Sequence, residues 1–286
     1  MTNKQLKIES AYAHCQDIVN QHYENFPVAS LILPKRLRKP IAAIYAFARR
    51  ADDYADEGDI SSDIRIYSLE AMGNTLDEVL SGATSTDPVF IALADSIKQH
   101  QLPPQLFHDL LSAFKQDVAK KRYQTFNELL DYCKRSANPI GRLLLHLNND
   151  ADRFNLKNSD LICSGLQLIN FYQDMKQDYL EMGRIYVPLN EMDDFSVAER
   201  HFKNQCTDNN VRSLMHFQFQ RVRKMMEDGA ILGSDVKGRL GFQIRLTVHG
   251  GLKVLTALEK QKHDLFSRPR IPRHQWVLLL LKACFK

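Results

Sequence analysis

Apolar side chains recur at every third or fourth position along most of this chain. The longest such stretches are residues 102–132, 141–147, 159–179 and 211–232. This repeat places the apolar residues on one face of an α-helix. The alternation of single apolar and polar residues that is typical of half-buried strands is scarce. The pattern therefore predicts an all-α fold.

The chain has 286 residues, enough for one large domain or two small ones. No stretch rich in Pro, Gly and Ser divides it, so we expect a single helical domain over residues 1–286. The segment 275–286 (QWVLLLLKACFK) is apolar but too short to span a bilayer. It is expected either to pack in the core or an oligomer, or to lie on a membrane surface with Trp276 among the headgroups.

Two acidic clusters repeat carboxylates four residues apart within sequence that favours helix. In the first cluster (DDYADE) this spacing stacks Asp52 and Asp56 on one helix face. In the second (QDMKQD) it does the same for Asp174 and Asp178. One such pair is usually a solvated helix face. Because two pairs occur, each beside apolar sequence, we expect a cation between the repelling carboxylates, and a hard divalent ion such as Mg²⁺ suits oxygen ligands best.

The sequence around these clusters adds two further features. Pro139 and Gly141 interrupt a Leu-rich helical pattern, and an interior Pro kinks a helix because it removes a hydrogen bond. The break is either an ordinary connection between helices or the lining of a cavity into which Tyr132 points. After the second cluster, Arg184 follows Gly183. Its guanidinium is suited to a phosphate that metal ions also hold.

Four motifs occur in a characteristic order. They are RRADDYAD (residues 49–56), the segment from Tyr132 to Gly141, Gln167-x-x-Asn170-x-x-x-Asp174-x-x-x-Asp178, and GRIYVP (residues 183–188). Together they resemble the squalene/phytoene synthase family over most of the chain. The resemblance implies a single-domain isoprenoid synthase bundle of helices with a central apolar cavity, in which an isoprenoid diphosphate is ionised.

The resemblance also implies a role for each motif. The expected metal site, shared by both clusters, consists of Asp52, Asp53, Asp56, Asn170, Asp174 and Asp178. The expected catalytic residues are Tyr132, near the reacting carbon, and Asp52, Asp56, Asp174 and Asp178. The expected substrate-binding residues are Glu24, Asn25, Phe26, Tyr45, Arg49, Gln167, Asn170 and Arg184, with Phe47 and Leu168 also lining the cavity. Mg²⁺ is the expected cofactor, with Mn²⁺ as a substitute. No NADPH is expected, since no G-x-G-x-x-G fingerprint is present.

Within the family, residues 24–30 (ENFPVAS) and 135–139 (RSANP) most resemble the bacterial hydroxysqualene synthase branch of hopanoid biosynthesis. Condensing members carry small hydroxyl residues where Glu24 and Asn25 stand, and commonly an acidic residue where Gln177 stands. The resemblance therefore implies that presqualene diphosphate is ionised and that water captures the cation to give hydroxysqualene. A presqualene diphosphate synthase and a reductase would then be partners in the same pathway.

Three alternatives to this activity remain open. The first is a squalene or phytoene synthase that condenses two farnesyl or geranylgeranyl diphosphates. The second is a catalytically silent assembly factor of the same fold, which the retained aspartates disfavour. The third is a helical scaffold at a membrane surface, which explains the basic ends of the chain but neither acidic cluster.

Charge and cysteine content bear on location. The net charge is +4, and basic residues cluster in residues 34–51 and after Glu259. No nucleic-acid-binding motif accompanies them, so an anionic membrane or a diphosphate is the expected partner rather than nucleic acid. Five cysteines form no CxxC pair, and the chain begins without an apolar signal segment. We expect a cytoplasmic protein with peripheral contact at the inner membrane surface.

Overall fold

The computed structural model describes residues 3–21, 34–261 and 263–269. Regular structure in these ranges is entirely helical, which confirms the all-α prediction. The helices are α1 (Asn3–Gln21), α2 (Lys35–Asp56), α3 (Ser62–Leu80), α4 (Pro88–His100), α5 (Gln105–Ala119), α6 (Phe126–Ser136), α7 (Asn138–Asn148), α8 (Arg153–Gln173), α9 (Met175–Met182), α10 (Leu189–Asp194), α11 (Glu199–Lys203), α12 (Asn209–Gly229), α13 (Leu232–Asp235) and α14 (Gly238–Lys260). The segment 275–286 lies outside the described residues. Among the described helices, none combines the length and the apolar character needed to cross a bilayer.

The chain forms two compact units. The first comprises Met1–Ala119 and Pro139–Ala151, and the second comprises Lys120–Asn138 and Asp152–Lys286. Each unit is therefore built from two separate stretches of sequence. The expectation of one domain over residues 1–286 stays a prediction.

Helix α2 is the centre of the first unit, since α1, α3, α4 and α5 all pack against it. Much of its buried surface is alanine, which lets neighbouring helices approach closely. Phe47 is completely buried and meets the rings of Phe90 and Phe107 edge to face, with centroids 6.1 and 5.6 Å away. This is a favoured geometry for aromatic pairs. The aromatic contacts thus anchor the helix that carries the first acidic cluster.

Helix α8 has the same central position in the second unit, where it packs against α6, α12 and α14. Glycine makes the closest approaches possible. A Cβ at Gly165 would lie 2.7 Å from the sulfur of Met226 on α12, and one at Gly251 on α14 would lie 3.0 Å from the Cε of the same methionine. Met226 therefore fills the space that these two glycines leave, and the three helices stack tightly.

Three predicted helical stretches are divided in the structure, and one of them, residues 211–232, is interrupted by a turn at residues 230–231. Residues 102–132 form α5 and α6, and Lys120–Thr125 between them is not helical. Residues 159–179 are divided at Asp174, which has φ −106° and ψ 11°, in the sparsely populated bridge region. The break predicted near Pro139 is confirmed at Ala137. Pro139 lies in the first turn of α7, where its missing N–H leaves no helix hydrogen bond unmade.

Removing the ring of Phe47 should destabilise the first unit strongly. We expect Phe47→Ala to lower the free energy of unfolding by about 3–5 kcal/mol, because a large buried side chain is replaced by a cavity. Phe154→Ala is the matched control, since 54% of that residue is exposed, and its effect should stay within about 0.5 kcal/mol. Urea denaturation followed by circular dichroism measures both. Equal effects of the two substitutions would contradict the assignment of Phe47 to the core.

Candidate active site

The first acidic cluster occupies the C-terminal end of α2, in the first unit. Arg49 lies one turn earlier, and its guanidinium contacts Asp52 at 3.2 Å and Asp53 at 2.6 Å. It also pairs with Glu57 just beyond the helix. Arg49 therefore offsets the charge of its own helix, whereas the resemblance predicts that it binds phosphate. Glu57 was not among the predicted site residues, although it belongs to the same acidic run.

The surroundings of Asp52 disfavour ionisation of its carboxyl group. Partial burial raises its pKa, Arg49 lowers it, and the neighbouring carboxylates of Asp56, Asp53 and Glu57 raise it further. The net direction is upward. A group of carboxylates that repel one another in this way suits a divalent cation, because bound cations relieve both the repulsion and the loss of hydration.

The second acidic cluster lies where α8 passes into α9, in the second unit. Asp174 is the residue at the break, and its side chain is only 13% exposed. Asp178 lies in the first turn of α9, and its N–H donates to the carbonyl of Asp174 at 2.8 Å. The prediction that both aspartates lie in one uninterrupted helix was therefore wrong, but the hydrogen bond of one helical turn persists across the break.

Asp174 is paired with Arg268, whose Nε lies 3.0 Å from its Oδ1. Burial raises the pKa of Asp174, while Arg268 and a hydrogen bond from the Asn170 side chain lower it. Arg268 is absent from the predicted site. The excess of basic residues after Glu259 was the only signal, because a contact between residues so far apart in sequence leaves no local pattern.

Arg184 is placed beside Asp178 by a tight turn. Gly183 ends α9 with φ 64°, a left-handed conformation that glycine adopts without strain. The N–H of Arg184 donates to the carbonyl of Asp178 at 2.9 Å, and the carbonyl of Gly183 accepts from the Arg122 side chain. Asp178 and Arg184 both line a small pocket with Phe171, Tyr172, Met175, Ile185, Tyr186, Val187 and Phe202. The third and fourth motifs thus supply one acidic and one basic side chain to the same pocket.

Tyr132 belongs to a group of four aromatic rings in the second unit. Its ring centroid lies 5.6 Å from Tyr123 and 6.1 Å from both Phe171 and Tyr186. Phe171 and Tyr186 stack at 3.7 Å with nearly parallel planes. Two of these rings also line the pocket that contains Asp178. Ring faces attract cations, so the group is suited to a positively charged intermediate. Tyr123 was not among the predicted site residues, because no motif includes it.

The remaining predicted residues are distributed as follows. Asn170 is exposed, and Gln167 is partly buried one turn earlier on α8; Tyr45 is partly buried on α2, one turn before Arg49. Phe47 and Leu168 have no exposed surface and pack in the core, so the prediction that they line a cavity was wrong. Glu24, Asn25 and Phe26 lie outside the described residues.

No three His, Cys, Asp or Glu side chains within residues 3–21, 34–261 and 263–269 are grouped closely enough to hold a metal ion. Each acidic cluster instead offers aspartates at four-residue spacing, and one aspartate of each has a raised pKa. Oxygen donors of this kind fit a hard divalent cation that also needs other ligands, such as the oxygens of a diphosphate.

Comparison with known proteins places this chain among isoprenoid synthases. The model of the squalene/phytoene synthase family matches residues 19–277. Hydroxysqualene synthase of Rhodopseudomonas palustris is 33% identical over 222 residues, which are 77% of this chain and 74% of that protein. The 15-cis-phytoene synthase of Synechocystis is 29% identical over 275 residues, which are 91% of this chain and 80% of that protein.

Solved structures agree with this similarity. Squalene synthase HpnC from Alicyclobacillus acidocaldarius superimposes with a TM-score of 0.84 at 33% identity, and the match covers 90% of this chain and 96% of that chain. A dehydrosqualene synthase superimposes with a TM-score of 0.86 at 24% identity, over 99% of this chain and 98% of that chain. The second likeness supports the shared fold alone.

The raised pKa of Asp52 predicts how the metal-free protein responds to pH. The ionised form is disfavoured in the folded state, so its cost is present above the raised pKa and vanishes below the ordinary value of 3.8. Asp52→Asn should therefore raise the Tm measured in EDTA at pH 7, and the gain should shrink as the pH approaches 3.8. Arg49 keeps two partners in this variant, Asp53 and Glu57.

The control for this experiment is Asp63→Asn, in the exposed first turn of α3. A carboxylate there favours the helix, because the N-terminus of a helix carries partial positive charge. Replacing this carboxylate should not raise the Tm at any pH. A lower Tm for Asp52→Asn at pH 7 would show that the Asp52 carboxylate stabilises the metal-free fold, against this account.

Proposed function

The chain is an enzyme of the squalene/phytoene synthase family, and we propose that it ionises presqualene diphosphate and directs water onto the rearranged cation to give hydroxysqualene and diphosphate. The observation that carries the proposal is the grouping of Asp178 and Arg184 with stacked aromatic rings in the second unit. Charged groups suited to a diphosphate and ring faces suited to a cation occur there side by side. The similarity to hydroxysqualene synthases supports this choice within the family.

Both acidic clusters act on the same diphosphate ester in this proposal. Asp52, Asp56, Asp174 and Asp178 would hold Mg²⁺, or Mn²⁺ in its place, with Asp53 and Asn170 assisting. When bound, the metal supplies stabilisation of the negative charge on the departing diphosphate. Arg184 adds a fixed guanidinium that contacts the phosphate oxygens. The exposed Arg268 gives up its pair with Asp174, and the metal ion that takes its place supplies the cation that the largely buried Asp174 carboxylate needs.

The chemical step breaks the bond between carbon and the diphosphate oxygen, and the electron pair leaves with the diphosphate. The faces of Tyr132, Phe171 and Tyr186 stabilise the cation that remains and exclude water while it rearranges. A water oxygen then forms the new bond to carbon, and the surplus proton of that water is released. Neither an oxidant nor a reductant is needed, so no NADPH is expected.

Three positions favour this activity over condensation. Glu24 and Asn25 replace the small hydroxyl residues of condensing members, and a carboxylate beside a second diphosphate would repel it. Gln177 stands where those members commonly have an acid. It is exposed on α9, and its amide donates to Glu181 at 3.1 Å. The competing activity is the condensing synthase, which the phytoene synthase relatives support.

The surroundings of the enzyme belong to the same proposal. The substrate would come from a presqualene diphosphate synthase, and the product would pass to a reductase that removes the hydroxyl group. Because both molecules carry long apolar chains, we propose peripheral contact with the cytoplasmic face of the inner membrane. The basic residues after Glu259 and the apolar segment 275–286 support such contact.

Product analysis separates the two activities. We expect hydroxysqualene from presqualene diphosphate and Mg²⁺ without a nicotinamide cofactor, and little or no product from farnesyl diphosphate alone. In water enriched in ¹⁸O the product should carry the label, because its hydroxyl comes from solvent. Gas chromatography with mass spectrometry measures both results. Efficient formation of squalene or phytoene from farnesyl or geranylgeranyl diphosphate would replace the proposal with the condensing activity.

The aspartates of both clusters should be indispensable. We expect Asp52→Ala, Asp56→Ala, Asp174→Ala and Asp178→Ala each to abolish turnover while the far-UV circular dichroism stays that of a helical protein. EDTA should have the same effect on the unchanged enzyme. Asp63→Ala, at the exposed start of α3, is the control and should keep full activity. Near-normal turnover by any two of the four variants would refute a shared role for the clusters.

A further inference from the structure

A buried ion pair lies in the second unit, outside the predicted site. Glu191 on α10 is only 8% exposed. Arg221 on α12 donates to both of its carboxylate oxygens at 2.7 Å, in the two-pronged geometry that guanidinium and carboxylate prefer. The guanidinium carbon also lies 3.6 Å from the ring centroid of Phe126 and 4.7 Å from that of Phe217. Glu191 and Arg221 are thus fixed on several sides.

Two more buried side chains extend this pair into a network. Gln218 has no exposed surface; its Nε2 donates to Glu191 at 2.6 Å, and its Oε1 accepts from Arg221 at 2.9 Å. The same oxygen accepts from the hydroxyl of Tyr172 at 3.0 Å. Both heteroatoms of the Gln218 amide and both oxygens of Glu191 therefore have partners. The buried Nε of Arg221 has no hydrogen-bond partner among the described residues, but the other bonds of the network hold its members in one arrangement.

Each arm of the network ends beside a part of the candidate site. Tyr172 lies in the last turn of α8, two residues before Asp174. Glu191 lies in α10, which begins directly after the segment that carries Arg184. Phe126 is the first residue of α6, the helix that carries the predicted catalytic tyrosine. A single guanidinium and its partners thus link three chain segments of the site in the second unit.

Stability alone is a poor reason for such a pair. Burying two charges costs hydration, and an apolar replacement is often as stable or more so. Unlike hydrogen bonds, apolar contacts do not fix the orientation of the groups that they join. The last turn of α8 needs a fixed orientation, because the helix stops at Asp174 and helix ends fray.

We propose that Arg221, Glu191, Gln218 and Tyr172 are positioning residues that hold Asp174 and the neighbouring segments in the arrangement that binds the metal and diphosphate. The inference rests on the proposed function of the acidic clusters. Groups that orient metal ligands in this way commonly change metal affinity by about 10–100-fold when they are removed. The network should therefore control ligand affinity to a degree that its effect on stability does not explain.

The test measures Mn²⁺ binding to the full chain in the presence of inorganic diphosphate, by electron paramagnetic resonance of the free ion. Tyr172→Phe removes one hydroxyl and should weaken Mn²⁺ binding about tenfold. Glu191→Gln should weaken it more, since it leaves the Arg221 guanidinium without its counterion. Arg221→Lys keeps the positive charge but loses the two-pronged contact. Its affinity for Mn²⁺ should lie between that of the unchanged chain and that of Glu191→Gln.

The matched control is Tyr12→Phe in the first unit. Tyr12 is also buried, and its hydroxyl contacts Asp95 and Ser96, each at 2.8 Å. Both Tyr→Phe variants lose a buried hydroxyl contact and should lower the Tm to a similar extent. Only Tyr172→Phe should weaken Mn²⁺ binding.

The outcomes separate the two proposals. If the unchanged chain binds Mn²⁺ with diphosphate and Tyr172→Phe binds it equally well, the network is only structural and the inference fails. This holds even if Glu191→Gln does not fold. If the unchanged chain binds no Mn²⁺ with diphosphate, the proposed function fails, and the inference that rests on it fails too.

Discussion

Carboxylates that are partly withdrawn from water are the constraint around which this protein is built. Each such group needs a nearby cation, and the structure supplies one arginine at each place: Arg49 at the end of α2, Arg268 at Asp174, and Arg221 at Glu191. Without these partners the loss of hydration would oppose folding. The packing of α2 and α8 at the centres of their units keeps the carboxylates where they are despite that cost.

The arginines differ in how firmly they are held, and this difference indicates which of them a ligand can displace. Arg268 is 61% exposed and contacts Asp174 through its Nε, so it is readily replaced by a stronger cation. Arg221 is largely buried, donates two hydrogen bonds to Glu191 and lies against two aromatic rings. The pairing of Arg268 suits a site that exchanges its cation when substrate binds. The pairing of Arg221 suits a part of the structure that stays in one conformation.

The sequence predicts the parts of this picture that depend on local pattern. Helical periodicity gave the all-α class, and the four-residue spacing of aspartates located both acidic clusters. The break at Asp174 escaped prediction because a single unusual ψ angle interrupts an otherwise helical pattern. Phe47 was misassigned to the cavity that the family resemblance implies, because a resemblance does not show what an apolar side chain contacts. The network around Arg221 includes hydrogen bonds between residues 27, 30 and 46 positions apart, and no spacing rule reaches that far.

The central claim is that the acidic clusters are completed by a divalent metal and a diphosphate together. The most direct test is the Tm of the full chain in EDTA, with Mg²⁺ alone, with inorganic diphosphate alone, and with both. A ligand pair that binds only the folded state stabilises it, and the gain rises with the ligand concentration relative to the dissociation constant. We expect a small change in Tm with either ligand alone and a clear rise with both. No rise with both, or a rise with diphosphate that Mg²⁺ does not increase, would contradict it.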